Sequence, residues 1–94
     1  YICPKSKDLP KYFDKFIEVT VLIENIKLIK TKKGDNMAFL DLSDDTGKIS
    51  CTVFPKKTSY LNELKIGDIV KIKGQVQKRL DKYQIILENL TKIS

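Results

Sequence analysis

Thr31-Lys32-Lys33-Gly34-Asp35-Asn36-Met37-Ala38-Phe39-Leu40-Asp41-Leu42 decides the fold. It joins a basic turn to an alternating strand. Gly34, Asp35 and Asn36 tolerate the dihedral angles of a tight hairpin. From Met37 to Ser43, Ala38, Leu40 and Leu42 occupy one face, and Met37, Phe39, Asp41 and Ser43 the other. Asp41 and Ser43 mark the second face as the outer one. An aromatic side chain, Phe39, is therefore expected to point away from the core.

Upstream, Ile17, Val19, Val21 and Ile23 alternate with Glu18, Thr20, Leu22 and Glu24, and β-branched residues dominate. The alternation breaks at Asn25-Ile26, and Ile26 and Leu28 continue in the opposite phase. Such a slip in one long strand predicts a bulge or sharp bend. At ~3.3 Å per residue, the run from Ile17 to Lys30 would extend ~46 Å, too long to lie flat in so small a domain. A curled first strand shared by two halves of a sheet is what a small closed barrel requires. Before it, Leu9, Tyr12, Phe13 and Phe16 are spaced three and four apart, predicting a short amphipathic helix starting near Pro10. Residues 1–16 are read as a lead-in that docks on the domain through its aromatics, and residues 17–92 as the domain itself.

Downstream, Asp44-Asp45-Thr46-Gly47 is a turn. Lys48 to Phe54 is the third strand, with Ile49, Cys51 and Val53 inward and Ser50 and Thr52 on the exposed face. Pro55 ends it. Tyr60, Leu61 and Leu64 then have helical spacing up to Gly67-Asp68. Ile69 to Gln77 is the fourth strand, with Gly74 marking a bend or a close approach. Lys78-Arg79-Leu80-Asp81-Lys82 is a basic loop, and Tyr83 to Leu90 the fifth strand. Five strands, a bent first strand and a short helix between the third and fourth describe an all-β Greek-key barrel, the OB-fold. An SH3-like barrel competes, but it has no helix at that position.

Composition removes several function classes. The chain has 94 residues, enough for one domain with a modest core. No apolar run approaches the ~20 residues of a membrane span, so no membrane partner is expected. There is no histidine, and the two cysteines, Cys3 and Cys51, stand far apart. A structural zinc site needs about four Cys/His ligands, so neither a metal nor another cofactor is expected. Cys51 reads as a small buried hydrophobe rather than half of a disulfide, which fits a reducing cytoplasm. Without histidine the commonest general base is missing, and Asp41, Asp44 and Asp45 are better explained by turn chemistry than by catalysis or metal binding. The net charge of +6 fits either a solvated surface or an anionic partner. The chain begins at Tyr1 rather than at a methionine, and is expected to be a segment of something longer.

The runs Thr31-Lys32-Lys33-Gly34, Met37 to Asp44, Thr46-Gly47 and Val53-Phe54-Pro55 resemble the anticodon-binding type of OB domain. Together with Gly67 and Val70-Lys71-Ile72-Lys73-Gly74, they are most similar to the OB domain of bacterial DNA polymerase III α subunits. The resemblance covers about Val19 to Leu90. It departs at Val21, where many relatives carry glycine, leaving open how sharply the strand bends there. It implies a non-catalytic module that contacts single-stranded template within a DNA-directed DNA polymerase. In aminoacyl-tRNA synthetases the similar strand carries an aromatic, matching Phe39, that stacks on an anticodon base.

In an OB barrel the loop after strand one and the loop between strands four and five flank one groove. Lys27, Lys30, Lys32 and Lys33 belong to the first, and Lys78, Arg79 and Lys82 to the second. Such cations hold backbone phosphates without reading sequence. Phe39 is the candidate stacking platform and Tyr83 a second, with Ser50 and Thr52 as polar contacts to bases or sugar. The expected partners are single-stranded DNA (or RNA) and the other domains of the parent polymerase, with the isolated domain monomeric. Rival readings are an anticodon-binding domain of an aminoacyl-tRNA synthetase and a protein-interaction or spacer module.

Overall fold

The computed structural model describes residues 5–93. Five strands, β1 (Phe16–Lys30), β2 (Asn36–Ser43), β3 (Lys48–Val53), β4 (Ile69–Arg79) and β5 (Lys82–Lys92), close a barrel in the order β1-β2-β3-β5-β4. Every neighbouring pair is antiparallel except β3 with β5, which run parallel and seal the barrel. The first strand is shared as its length requires. Phe16 to Leu22 pairs with β4, and Leu22 to Lys30 with β2.

The phase slip read from the sequence is a real irregularity. The β1–β2 register shifts between Ile23 and Asn25, so Glu24 is the unpaired residue. Before it Ile17, Val19, Val21 and Ile23 point inward and are buried; after it Ile26 stands opposite Leu40. An extra residue switches the inward phase and lets one strand serve both halves of the barrel. Val21 pairs in regular register with Val70, so the irregularity falls at Glu24 and not at Val21. Inside, Ile17, Ile23, Leu40, Leu42, Ile72 and Ile85 are completely buried.

Gly74 is a close approach. A methyl group built there would lie 2.2 Å from the Ile86 carbonyl oxygen and 2.6 Å from Cγ2 of Ile85. The β4–β5 register shifts at the same point, between Lys73 and Gly74.

The lead-in differs from its expectation. The helix is a 3-10 helix, Ser6–Tyr12, with Pro10 inside it rather than at its start. Leu9 is buried and Tyr12 packs on the core, but Phe13 and Phe16 are each 48% exposed, so the expected apolar stripe divides. Phe13 lies past the helix and Phe16 opens β1. Asp14, at φ 66°, turns the chain between them. Its backbone N–H donates to the Val76 carbonyl at 2.8 Å, and its carboxylate accepts from the amides of Gln75 and Gln77 at 2.9 and 3.2 Å. The lead-in is thus pinned to the outside of β4. The helix between β3 and β4 is also 3-10 and ends at Leu61 (Pro55–Leu61); its Tyr60 and Leu61, and Leu64 beyond it, pack against the core.

Asp44 performs the turn chemistry expected of it. One carboxylate oxygen accepts from Thr46 N–H at 2.8 Å, Thr46 hydroxyl at 2.8 Å and Gly47 N–H at 3.0 Å. Among the described residues no helix is long and apolar enough to cross a membrane.

Cys51 is fully buried on β3, and its burial pushes the thiol up to about 12. The thiolate is the reactive form. Cys51 is therefore expected to resist alkylation by iodoacetamide at pH 8 while the barrel is intact, and to react once denaturant opens it. A folded pKa above the unfolded one favours the fold below the unfolded value. That contribution is lost as pH rises from about 9 toward about 12. Cys3, the other cysteine, lies outside the described residues.

Candidate nucleic-acid interface

The outer face of β2, β3 and β5 is built in rows by strand register. Lys27, Phe39, Thr52 and Ile86 stand opposite one another across β1, β2, β3 and β5. One step along the strands, Asn25, Asp41, Ser50 and Gln84 form the next row. Directly opposed residues share a face, so each row is one band of side chains.

Phe39 is half-buried at the meeting of two clefts. One, about 470 Å³, lies toward the β1–β2 turn and is lined by Ile29, Met37, Thr52, Phe54, Gln84 and Ile86 beside Phe39. The other, about 240 Å³, lies toward the β4–β5 turn and adds Asp41, Ser50, Leu80, Lys82 and Tyr83. Phe39 and Gln84 belong to both. A third cleft, about 590 Å³, continues past Asp41, Ser50 and Tyr83 to Leu9 and Pro10 of the lead-in, with Lys48 and Lys82 on its walls. Among the described residues, the N-terminal segment bounds the far end of this surface at Leu9 and Pro10 and lines neither cleft that holds Phe39.

The other residues singled out from sequence take varied positions. Ser50 is exposed opposite Asp41 and lines two of the clefts. Thr52 was expected on the exposed face but is only 3% exposed. It does point outward, yet Phe39 and Ile86 flank it in its row and its hydroxyl donates to Gln84 Oε1 at 2.5 Å. Its role is to orient the Gln84 amide, which faces both clefts. Tyr83 lines the two clefts nearer the β4–β5 turn. Its ring meets Phe13 edge-on, centroids 6.1 Å apart, and Lys78 Nζ lies 5.8 Å from its centroid.

The β1–β2 turn is held by its own hydrogen bonds. The Thr31 N–H donates to the Asp35 carbonyl at 2.7 Å, and the Asp35 N–H to the Thr31 hydroxyl at 3.1 Å. Gly34 sits at φ 87°, the left-handed region that glycine favours. Lys32 and Lys33 lie in this turn, both exposed, and Lys30 ends β1 opposite Asn36. The β4–β5 connection is tighter than the expected basic loop. The strands run on through Lys78 and Arg79 and resume at Lys82, leaving Leu80-Asp81 as a two-residue turn. Lys78 and Lys82 are strand residues at its base; the Arg79 side chain lies outside the described residues. Lys48, Gln84 and Leu80 line this surface and were not singled out from the sequence.

Residues 17–93 match the family model described as an OB-fold nucleic acid binding domain. The chain belongs to that family. Among relatives of this OB domain, the DNA polymerase III subunit alpha of Bacillus subtilis is 42% identical over 72 residues, 76% of this chain and 6% of the polymerase. The chain thus spans a small part of the relatives it matches. A domain of replication protein A from Methanococcus maripaludis superposes with a TM-score of 0.81 at 22% identity, over 98% of this chain and 96% of that one. A putative aspartyl-tRNA synthetase from Leishmania major superposes at 0.77 and 14% identity, over 98% of this chain and 20% of that one. At such identities the two likenesses speak for the fold alone.

Proposed function

We propose that this OB domain holds single-stranded DNA across the outer face of β2, β3 and β5, as a non-catalytic module of a replicative DNA polymerase α subunit. The observation that carries the reading is Phe39. An aromatic ring lies on the sheet where two clefts meet, with lysines in the β1–β2 turn at one end and at the base of the β4–β5 turn at the other. Aromatic floors take any base by its π-face, and flanking cations take the phosphates between bases. Lys30, Lys32 and Lys33 supply the charge at one end, and Lys78, Arg79 and Lys82 at the other. Ser50 and the Gln84 amide, oriented by Thr52, offer hydrogen bonds to base edges or sugar. Identity to DNA polymerases favours DNA over an RNA anticodon.

Lys32→Ala with Lys33→Ala tests this. Each lost phosphate contact lowers the salt slope by ~0.7 for a single strand. The double variant is expected to bind an oligothymidylate about tenfold more weakly at low salt and to flatten the slope of log affinity against log salt by about 1.4. A variant that matches the parent across the titration removes the turn from the interface. Competition by an RNA hairpin that exceeds competition by DNA would favour the anticodon reading instead.

A further inference from the structure

Leu80 has no explanation in the fold. It is 89% exposed, so it adds nothing to the core. Its φ is 56°, the left-handed region that side chains bearing a Cβ avoid. Glycine or asparagine would make the same turn more readily. A large apolar side chain kept in water on a disfavoured backbone points to a contact made outside the fold. Its surroundings say which. Leu80 lines the cleft that also holds Phe39, Asp41, Ser50, Lys82 and Gln84. Phe39 and Gln84 come from the sheet, whereas Leu80 comes from the tip of the hairpin. Lys78 and Lys82 stand two residues to either side of it in the chain and Asp81 stands next to it, so cations outnumber the single acid around the apolar tip. Apolar surface framed by positive charge complements a nucleobase with its phosphates.

We propose that Leu80 is an apolar cap that packs on a base lying against Phe39, so that the base is held between the ring and the leucine methyl groups. This rests on the reading of the face as a single-strand interface. It adds a residue that carries no charge and no aromatic ring, and it gives the β4–β5 turn a role beyond charge.

The test compares Leu80→Ala, Leu80→Gly, Leu80→Asn and Leu80→Met by fluorescence anisotropy with a labelled oligothymidylate, alongside thermal melting. Alanine, glycine and asparagine are each expected to weaken binding about fivefold, the effect of losing a half-buried leucine contact. Their salt slope should equal the parent's, because no charge changes. Methionine should restore most of the affinity. The glycine and asparagine variants should melt at or above the parent, since both accept the backbone angle. Variants that bind as tightly as the parent overturn the proposal, and so does a loss that methionine does not restore. If the parent fails to bind at low salt, the single-strand reading falls and the cap with it. If the parent binds, and the Lys32, Lys33 pair matters while Leu80 does not, the cap alone falls.

Discussion

Replacing Gly74 by alanine is expected to destabilise the barrel by about 3 kcal/mol or more, an overpacking penalty at the top of the usual range. The reason is what the new methyl meets. Its nearest neighbour would be a backbone oxygen, that of Ile86, at 2.2 Å. A flexible side chain could swing away, but a carbonyl in a strand moves only with its strand. That strand is committed on both sides. Ile86 pairs with Gln75 of β4 and with Thr52 of β3, where the barrel closes. Relieving the clash would loosen the β4–β5 pairing or open the β3–β5 seam. For a domain of this size each kcal/mol shifts the melting temperature by roughly 4–8 °C, so a fall of about 15 °C is expected by calorimetry or circular dichroism. Thr52 and Gln84 lie on that seam, so oligonucleotide binding should weaken even in the fraction that remains folded. A melting temperature within a few degrees of the parent would show that the two strands give way more easily than their pairing implies.

The features that could be read from the chain are those written in short-range periodicity. The switch of inward phase after Ile23 announced the irregularity at Glu24, because a period of two cannot change phase without an extra residue. Ala38, Leu40 and Leu42 announced their burial, and with it the outward direction of Phe39. Gly74 stood out because a strand interior has no use for glycine unless something comes close. What the sequence left hidden depends on non-local pairing. Thr52 looked like an exposed polar residue, since nothing near it in the chain says that Phe39 and Ile86 flank it. Gln84 was passed over for the same reason: its place beside Ser50 follows from the parallel β3–β5 pairing, between segments more than thirty residues apart. The shortness of the β4–β5 connection is not legible because Leu80-Asp81 lacks the glycine or asparagine that usually marks a two-residue turn. The start of the first helix at Ser6 is not legible because Ser6, Lys7 and Asp8 are polar, so apolar spacing begins only at Leu9.

Phe39→Ala is expected to lower affinity for single-stranded DNA by about tenfold to a hundredfold, because stacking on one aromatic ring is worth ~1–3 kcal/mol. Position makes the effect large. Phe39 is shared by the two clefts beside it, so removing the ring takes the floor from both and merges them into a wider, flatter trough. Conservative replacements should sort by π-surface: tryptophan and tyrosine retain most of the affinity, while leucine, apolar but without a ring, retains little. The salt dependence should match the parent's, since no cation is lost. That separates this variant from the Lys32, Lys33 pair, whose signature is the changed slope. Stability should fall much less than on truncating a core residue, because Phe39 is half-buried on the outer face while Ala38 and Leu40, on either side of it, carry the packing. Phe39→Ala that melts near the parent and binds equally well would move the interface off this face. Leu retaining full affinity would make the sheet contact at this position apolar rather than a stack.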